Sequence, residues 1–280
     1  MPKKFTPIKR IDQIYCQMES VGDANKLYYL FSNILGLPET WPPINRKTYH
    51  GGGVYTGNTW LKWITFNMKS YEMTRKLATF YMLAVEPNGY ERCLRELEKR
   101  GISVKDMGFQ TTPDASGVEK EWVRVSSLDE SPFKEVNLGL AKYAPLAFSA
   151  LTTTPEASTL DEHYRVMRGR LDAVDGGPLG VRYVKEVEVG VKDNKSRAAW
   201  QAFLDPVEPV GKDCWKIGKG PMLRLTKSSD NRMKSLTFRV KSIRKARVVL
   251  KSLGLLGDVG DETLTINPEW VNGLEFRVSK

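Results

Sequence analysis

Arg10-Ile11-Asp12-Gln13-Ile14-Tyr15 alternates as a strand does, and Asp23 to Leu35 then has helical spacing before Gly36-Leu37 closes the segment. This stretch decides the fold because its order recurs. Similar segments open near Lys76, Tyr183 and Met233, and each leads into an amphipathic helix that ends at Gly or Pro. Leu27, Leu30, Phe31, Ile34 and Leu35 share one face of the first helix. Asp23 is the expected N-cap and Gly36 the left-handed stop. The other helices are expected over Gly89–Arg100, Lys195–Leu204 and Ile243–Leu253, closed by Gly101, Asp205-Pro206 and Gly254.

Strands are expected around these helices. They include Thr59 to Phe66, Leu77 to Val85, Trp122 to Ser126, Val136 to Tyr143, Val184 to Val189, Met222 to Thr226, Ser235 to Val240, Thr263 to Ile266 and Leu274 to Val278. The unit is a strand, a helix and two or three further strands, four times over. Its period is too long and irregular for a solenoid. A different stretch separates the second and third units: Thr152-Thr153-Thr154-Pro155, a helix over Leu160 to Val174, and Gly176-Gly177-Pro178. The expected division is therefore a first domain over 8–145, a connector with its own helix over 146–179, and a second domain over 180–280.

Composition narrows the class. Of 280 residues, 41% are apolar and 27% charged, the balance of a globular chain. No apolar run is long enough to cross a bilayer, and Met-Pro-Lys-Lys-Phe leads into no secretory core. Cys16, Cys93 and Cys214 are scattered and odd in number, as expected of buried thiols in a cytoplasmic protein. The net charge of +10 favours anionic partners. Ten cations and a single acid, Asp230, lie between Arg224 and Lys251. Nucleic acid is a weaker expectation than a small ligand, since no recognition motif accompanies these cations.

The local words resemble those of the vicinal oxygen chelate superfamily, which includes glyoxalases, extradiol dioxygenases and bleomycin-binding proteins. In the first half they are Ile11-Asp12-Gln13-Ile14, Leu35-Gly36-Leu37-Pro38, Gly52-Gly53-Val54 and Gly57-Asn58-Thr59-Trp60-Leu61. The second half has Glu186-Val187, Gly220-Pro221-Met222-Leu223-Arg224-Leu225 and Asn272-Gly273-Leu274-Glu275-Phe276. The resemblance implies an α+β fold, four βαβββ units paired into two tandem domains with cupped sheets. It also implies a divalent metal in each working cup, held by His, Gln and Glu side chains from strands of both units.

At the positions the resemblance marks, the expected metal ligands are scarce. Gln13 matches the first, but Lys62 matches the closing one, and an ammonium has no lone pair. Lys142 or a neutral neighbour stands where the second unit needs a Glu. Only two histidines occur: His50, read as a solvated loop residue, and His163 in the connector. Glu186 and Glu275 match ligand positions in the second half, where they can also serve as acid and base, as can Glu86. A wet strand face explains Glu186 equally well, and a carboxylate at the start of a helix explains Glu86. The expectation is a cup without metal or other cofactor, in which Gln13, Tyr15, Trp60, Lys62 and Lys142 bind a small anionic or aromatic molecule. That reading requires Lys62 to face inward, and a slip of one residue exchanges the faces. The alternatives are a divalent-metal lyase, isomerase or dioxygenase with unusual ligands, and an acidic-partner or nucleic-acid binder. Oligomeric state stays open.

Overall fold

The structure, a computed structural model, describes residues 5–46, 48–66, 78–113, 118–144, 148 and 154–280. Four βαβββ units follow one another. The first is β1 (Ile8–Gln17), α1 (Val21–Tyr29), β2 (Glu39–Asn45), β3 (Tyr49–Tyr55) and β4 (Trp60–Phe66). The second is β5 (Thr79–Pro87), α2 (Tyr90–Lys99), β6 (Val104–Pro113), β7 (Glu119–Leu128) and β8 (Leu138–Tyr143), with a short helix α3 (Phe133–Val136) before β8. Helix α4 (Leu160–Ala173) leads to the third, β9 (Val181–Val191), α5 (Asn194–Leu204), β10 (Pro209–Gly211), β11 (Cys214–Lys216) and β12 (Met222–Lys227). The fourth is β13 (Arg232–Val240), α6 (Ile243–Ser252), β14 (Leu256–Val259), β15 (Thr263–Ile266) and β16 (Glu275–Ser279).

The strands form two eight-stranded curled sheets, ordered β2-β3-β4-β1-β5-β8-β7-β6 and β10-β11-β12-β9-β13-β16-β15-β14. The second order repeats the first with every number raised by eight. Opening and closing strands of a unit pair in parallel, as in Tyr15 beside Lys62 and Thr237 beside Arg277. This α+β arrangement is the one the recurring sequence unit implies.

Two compact units emerge from the packing. One comprises Met1–Asp12, Met82–Val166 and Glu188–Met233; the other comprises Gln13–Tyr81, Met167–Val187 and Lys234–Lys280. In the first, Phe133 of α3 meets Trp200 and Phe203 of α5 at ring-centroid distances of 5.2 and 5.3 Å. In the second, Phe31 meets Trp63 at 4.9 Å and Phe276 at 5.1 Å, and Phe238 stacks on Phe276 at 5.8 Å. Each such pair is worth about 0.5–1.5 kcal/mol beyond the area it buries. These rings come from segments far apart in sequence, so they hold each unit together rather than one local motif.

Several local expectations are corrected. Ser20, not Asp23, caps α1: its hydroxyl accepts from the Asp23 amide, and Asp23 lies in the first turn. The helix also changes character, since Leu30–Ile34 is π-helical. β2 was not expected, because Pro42-Pro43 reads as a strand breaker. It forms at the sheet edge, where missing N–H donors cost little, and its pairing with β3 shifts register on either side of Trp41. Val136 belongs to α3 rather than to β8, and β5 begins at Thr79. Lys76, Leu77, Pro145, Thr152 and Thr153 lie outside the described residues. Cys16, Cys93 and Cys214 are buried and free, as the scattered spacing suggests.

Acid sensitivity follows from three carboxylates in the first compact unit. Hydrogen bonds from Ser158, and then from the Thr159 amide, hold Glu162 down at about 2, in a capping box at the start of α4. The Arg124 guanidinium holds Asp106 at about 2. Burial opposes ionisation of Asp161, but bonds from Arg10 and Lys9 outweigh it and bring it to about 2. Each native value is depressed, so each contribution is complete above the ordinary carboxylate range and lost as pH falls through it. These three groups should therefore make urea midpoints fall between about pH 4 and 2. Glu162→Gln should remove part of that fall; a variant with an unchanged acid limb would show that this cap contributes nothing.

Candidate functional site

Register decides which side chains share a face. Gly52 of β3 faces α1, since a Cβ there would lie 2.9 Å from Tyr28 Cδ2. Alternation then turns Gly51, Gly53 and Tyr55 to the opposite face. Their partners on β4 are Ile64, Lys62 and Trp60, and the partners of these on β1 are Gln17, Tyr15 and Gln13. Trp41 of β2 pairs with Gly53. A row Trp41–Gly53–Lys62–Tyr15 thus crosses four strands on the face turned away from α1.

The row surrounds an ammonium. Lys62 Nζ lies 3.8 Å from the Trp41 ring centroid, 5.2 Å from that of Tyr15 and 5.5 Å from that of Trp60. Lys62 is only 6% exposed, although lysine is rarely buried unless its charge is met. Negative ring faces contribute to that compensation, each such contact being worth up to about 2 kcal/mol or more where water is excluded. Gly53 makes the arrangement possible. A Cβ there would sit 2.8 Å from Lys62 Cγ and 2.8 Å from the Leu61 carbonyl oxygen. Gly53→Ala should therefore push Lys62 off Trp41 and cost about 1–3 kcal/mol, read by urea denaturation. An unchanged midpoint would mean that the stem of Lys62 moves freely.

Gln13 completes this face. It is 1% exposed, and its Oε1 accepts the Tyr15 hydroxyl proton at 2.6 Å. Gln17, buried at the far end of the row, is a further polar group on it. The structure thus brings together Gln13, Tyr15, Trp60 and Lys62, and adds Trp41, Gln17 and Gly53. No sequence signal marked Trp41, because its strand is concealed by two prolines.

The other candidates are held elsewhere. Lys142 lies 3.5 Å from the Glu91 carboxylate and 5.0 Å from the Tyr90 ring centroid, both on α2, in the compact unit that does not contain Lys62. Glu86 lies next to last in β5 and is held by Arg10 Nε at 2.5 Å and Lys9 Nζ at 2.9 Å, a clamp rather than a helix start. Burial pushes its carboxyl above the ordinary range in spite of both cations. Glu275 accepts from Arg277 at 2.6 Å, and Glu186 is half-buried on β9. His50 is not a solvated loop residue. It lies buried in β3, with Nε2 2.8 Å from Asn25 Oδ1 of α1. His163 is buried on α4 against Thr154 Oγ1, 2.7 Å from its Nδ1.

These positions can be tested against a divalent ion. Among the described residues no three His, Cys, Asp or Glu side chains converge as metal ligands. The oxygen Gln13 would offer a metal already accepts from Tyr15, and an ammonium stands on the neighbouring strand. In the second sheet Glu275 is engaged by Arg277, and its partner on β13 is Ser235. Neither donor set fits a chelated cation. What the first set can do is meet negative charge beside aromatic surface.

Two eight-stranded sheets built from four βαβββ units match the fold of solved extradiol dioxygenases. The particular likenesses are to solved structures of low identity. A hypothetical protein from Staphylococcus aureus superposes with a TM-score of 0.61 at 8% identity, covering 96% of this chain and 98% of that one. Homoprotocatechuate 2,3-dioxygenase from Arthrobacter globiformis gives 0.58 at 10% identity, with 99% and 81% covered. An extradiol ring-cleaving dioxygenase from B. fuscum gives 0.58 at 9% identity, with 100% and 74% covered. No family model matches the chain, and no curated protein matches it. At these identities the likeness is one of fold alone. Among the described residues, no helix is long and apolar enough to cross a membrane.

Proposed function

We propose that the face of β1 and β4 turned away from α1 binds a small anionic molecule, with Lys62 as its cation and Trp41, Tyr15 and Trp60 as its walls, and that it does so without a chelated metal. One observation carries this reading: a buried ammonium held among three aromatic rings, at a position that the resemblance marks for a metal ligand. A core lysine is costly to fold around, and a glycine opposite it is needed to admit its stem. A carboxylate-bearing ligand would find there both a counter-charge and flat apolar surface, the two features of a small-molecule site. The protein would sequester such a ligand or act on it with these side chains. The fold likeness to ring-cleaving dioxygenases supports a site on strands of this type but assigns no substrate. A thermal-shift panel tests the reading. Aromatic and aliphatic monocarboxylates at ten to a hundred times their dissociation constants should raise the melting temperature by a few degrees. Failure of every acid, together with one divalent ion per chain by elemental analysis, would replace it with a metalloenzyme.

A further inference from the structure

We propose that the outer face of α6 is a docking surface for double-stranded DNA, which it holds by the phosphates without reading sequence. This inference is independent of the anion site proposed above.

The basic stretch Arg224–Lys251 is not one surface in the fold. Arg232 pairs with Asp230 at 3.2 Å, Lys241 pairs with Asp175, and Arg239 is half-buried on β13. What stays together is α6. Arg244, Lys245, Arg247 and Lys251 are exposed on it, and the helix carries no acid. Among the described residues, none of the four lies within ion-pair distance of a carboxylate.

Helical spacing fixes their arrangement. Ala246 and Leu250 are buried, so Val248 stands at the crest of the outer face, where it is 63% exposed. Arg244, Arg247 and Lys251 lie on one flank of that crest and Lys245 on the other, an arc of about 160°. From Arg244 to Lys251 the stripe runs about 10 Å along the axis. Forces within the helix do not favour it. Arg244 and Lys245 stand in the first turn, where the helix dipole repels cations, and no acid lies three or four positions away to relieve them. A counter-charge from outside does relieve them.

Shape selects among polyanions. A bilayer is flat, so it meets the crest and leaves Arg247 and Lys245 turned aside. The major groove of B-form DNA is about 12 Å wide and admits a helix, with phosphates along both walls. Cations on both flanks then face both strands. Single strands are held by stacking bases on aromatic rings, and α6 has none. Val248 at the crest offers the bases no hydrogen bond, so the contacts are to phosphate and carry no sequence preference.

Fluorescence anisotropy of a labelled duplex of roughly 20 base pairs and mixed sequence, titrated between about 50 and 200 mM salt, tests the proposal. Four phosphate contacts predict a log–log salt slope of about −3.5 and a loss of roughly a hundredfold in affinity across that range. Replacing Arg244, Lys245, Arg247 and Lys251 together by Gln, a good helix former, should weaken binding at least about tenfold at the lowest salt and flatten the slope. A control that removes the same charge elsewhere, with Gln at the exposed Lys99, Lys105, Lys212 and Lys219, should stay within about threefold of the wild type. If the fourfold α6 variant fails to fold, Arg247→Gln with Lys251→Gln should still bring the slope about two units closer to zero. Equal loss in the control, or an α6 variant that binds like the wild type, overturns the proposal. So does an absence of duplex binding by the wild type at the lowest salt. Tighter binding of polyglutamate or of phosphatidylserine vesicles than of the duplex, at equal concentration of anionic groups, overturns it too.

Discussion

Gly57→Ala should lower stability by about 3–5 kcal/mol, since overpacking and a disfavoured backbone conformation each carry about one to three. Gly57 sits in the turn between β3 and β4 with φ +98°, and a Cβ there would lie 2.0 Å from the Arg182 carbonyl oxygen. The turn cannot retreat, because its neighbours are tied to the same strand. Asn58 Nδ2 donates to the Val184 carbonyl at 3.0 Å, and its Oδ1 accepts from the Val184 amide at 3.0 Å. Arg168 also donates to the Gly57 and Arg182 carbonyl oxygens. An added methyl must therefore break this seam rather than slide past it. Gly254→Ala is the fitting control: φ is +68°, but nothing lies within 4 Å of the new Cβ, so only the backbone term of about 1 kcal/mol applies. Urea denaturation of both variants separates the two contributions. Equal midpoints would mean that the seam at Val184 yields.

This seam shows what could be read in advance and what could not. The word Gly57-Asn58-Thr59-Trp60-Leu61 was legible as a marker of fold, since glycine and asparagine punctuate turns. Its partner Val184 lies 126 residues away in sequence, and no local pattern announces such a pairing. Helices were legible to within a residue or two where apolar spacing and a Gly or Pro stop agree, as in α2, α5 and α6. α1 was misjudged at its start, whereas its end was legible: the helical segment runs to Ile34 and Gly36 follows with φ +64°. Ser20 was overlooked as its cap, and a π-helical stretch keeps Phe31 buried beyond the regular turns.

The face proposed as a site was legible in part. Gln13 and Lys62 were found because the family resemblance marks one position on each opening and closing strand. Whether they face the same way was open until the register placed Tyr15 beside Lys62 and Gln13 beside Trp60. Trp41 was invisible, because Trp-Pro-Pro reads as a loop and only an edge strand tolerates it. His50 was misread for a related reason: three glycines suggest a turn, yet here they let β3 run close to its neighbours and carry His50 into the core. Lys142 satisfied the same positional rule as Lys62, but its charge meets Glu91 instead.

The central claim is that Lys62 is a resident cation for an anionic ligand. Lys62→Met keeps the unbranched stem and removes the charge, so the aromatic walls stay packed. The fold should tolerate the change, because removing a buried charge offsets the lost ring contacts. Binding should not. Loss of one member of a buried charged pair costs about 2–5 kcal/mol, roughly 30- to 5,000-fold in affinity. The direct measurement is calorimetric titration of an aromatic carboxylate into the wild-type protein and Lys62→Met, both checked for an unchanged melting transition. The account predicts one site per chain in the wild type and affinity at least about a hundredfold weaker in the variant. Equal affinity in the two proteins would contradict it.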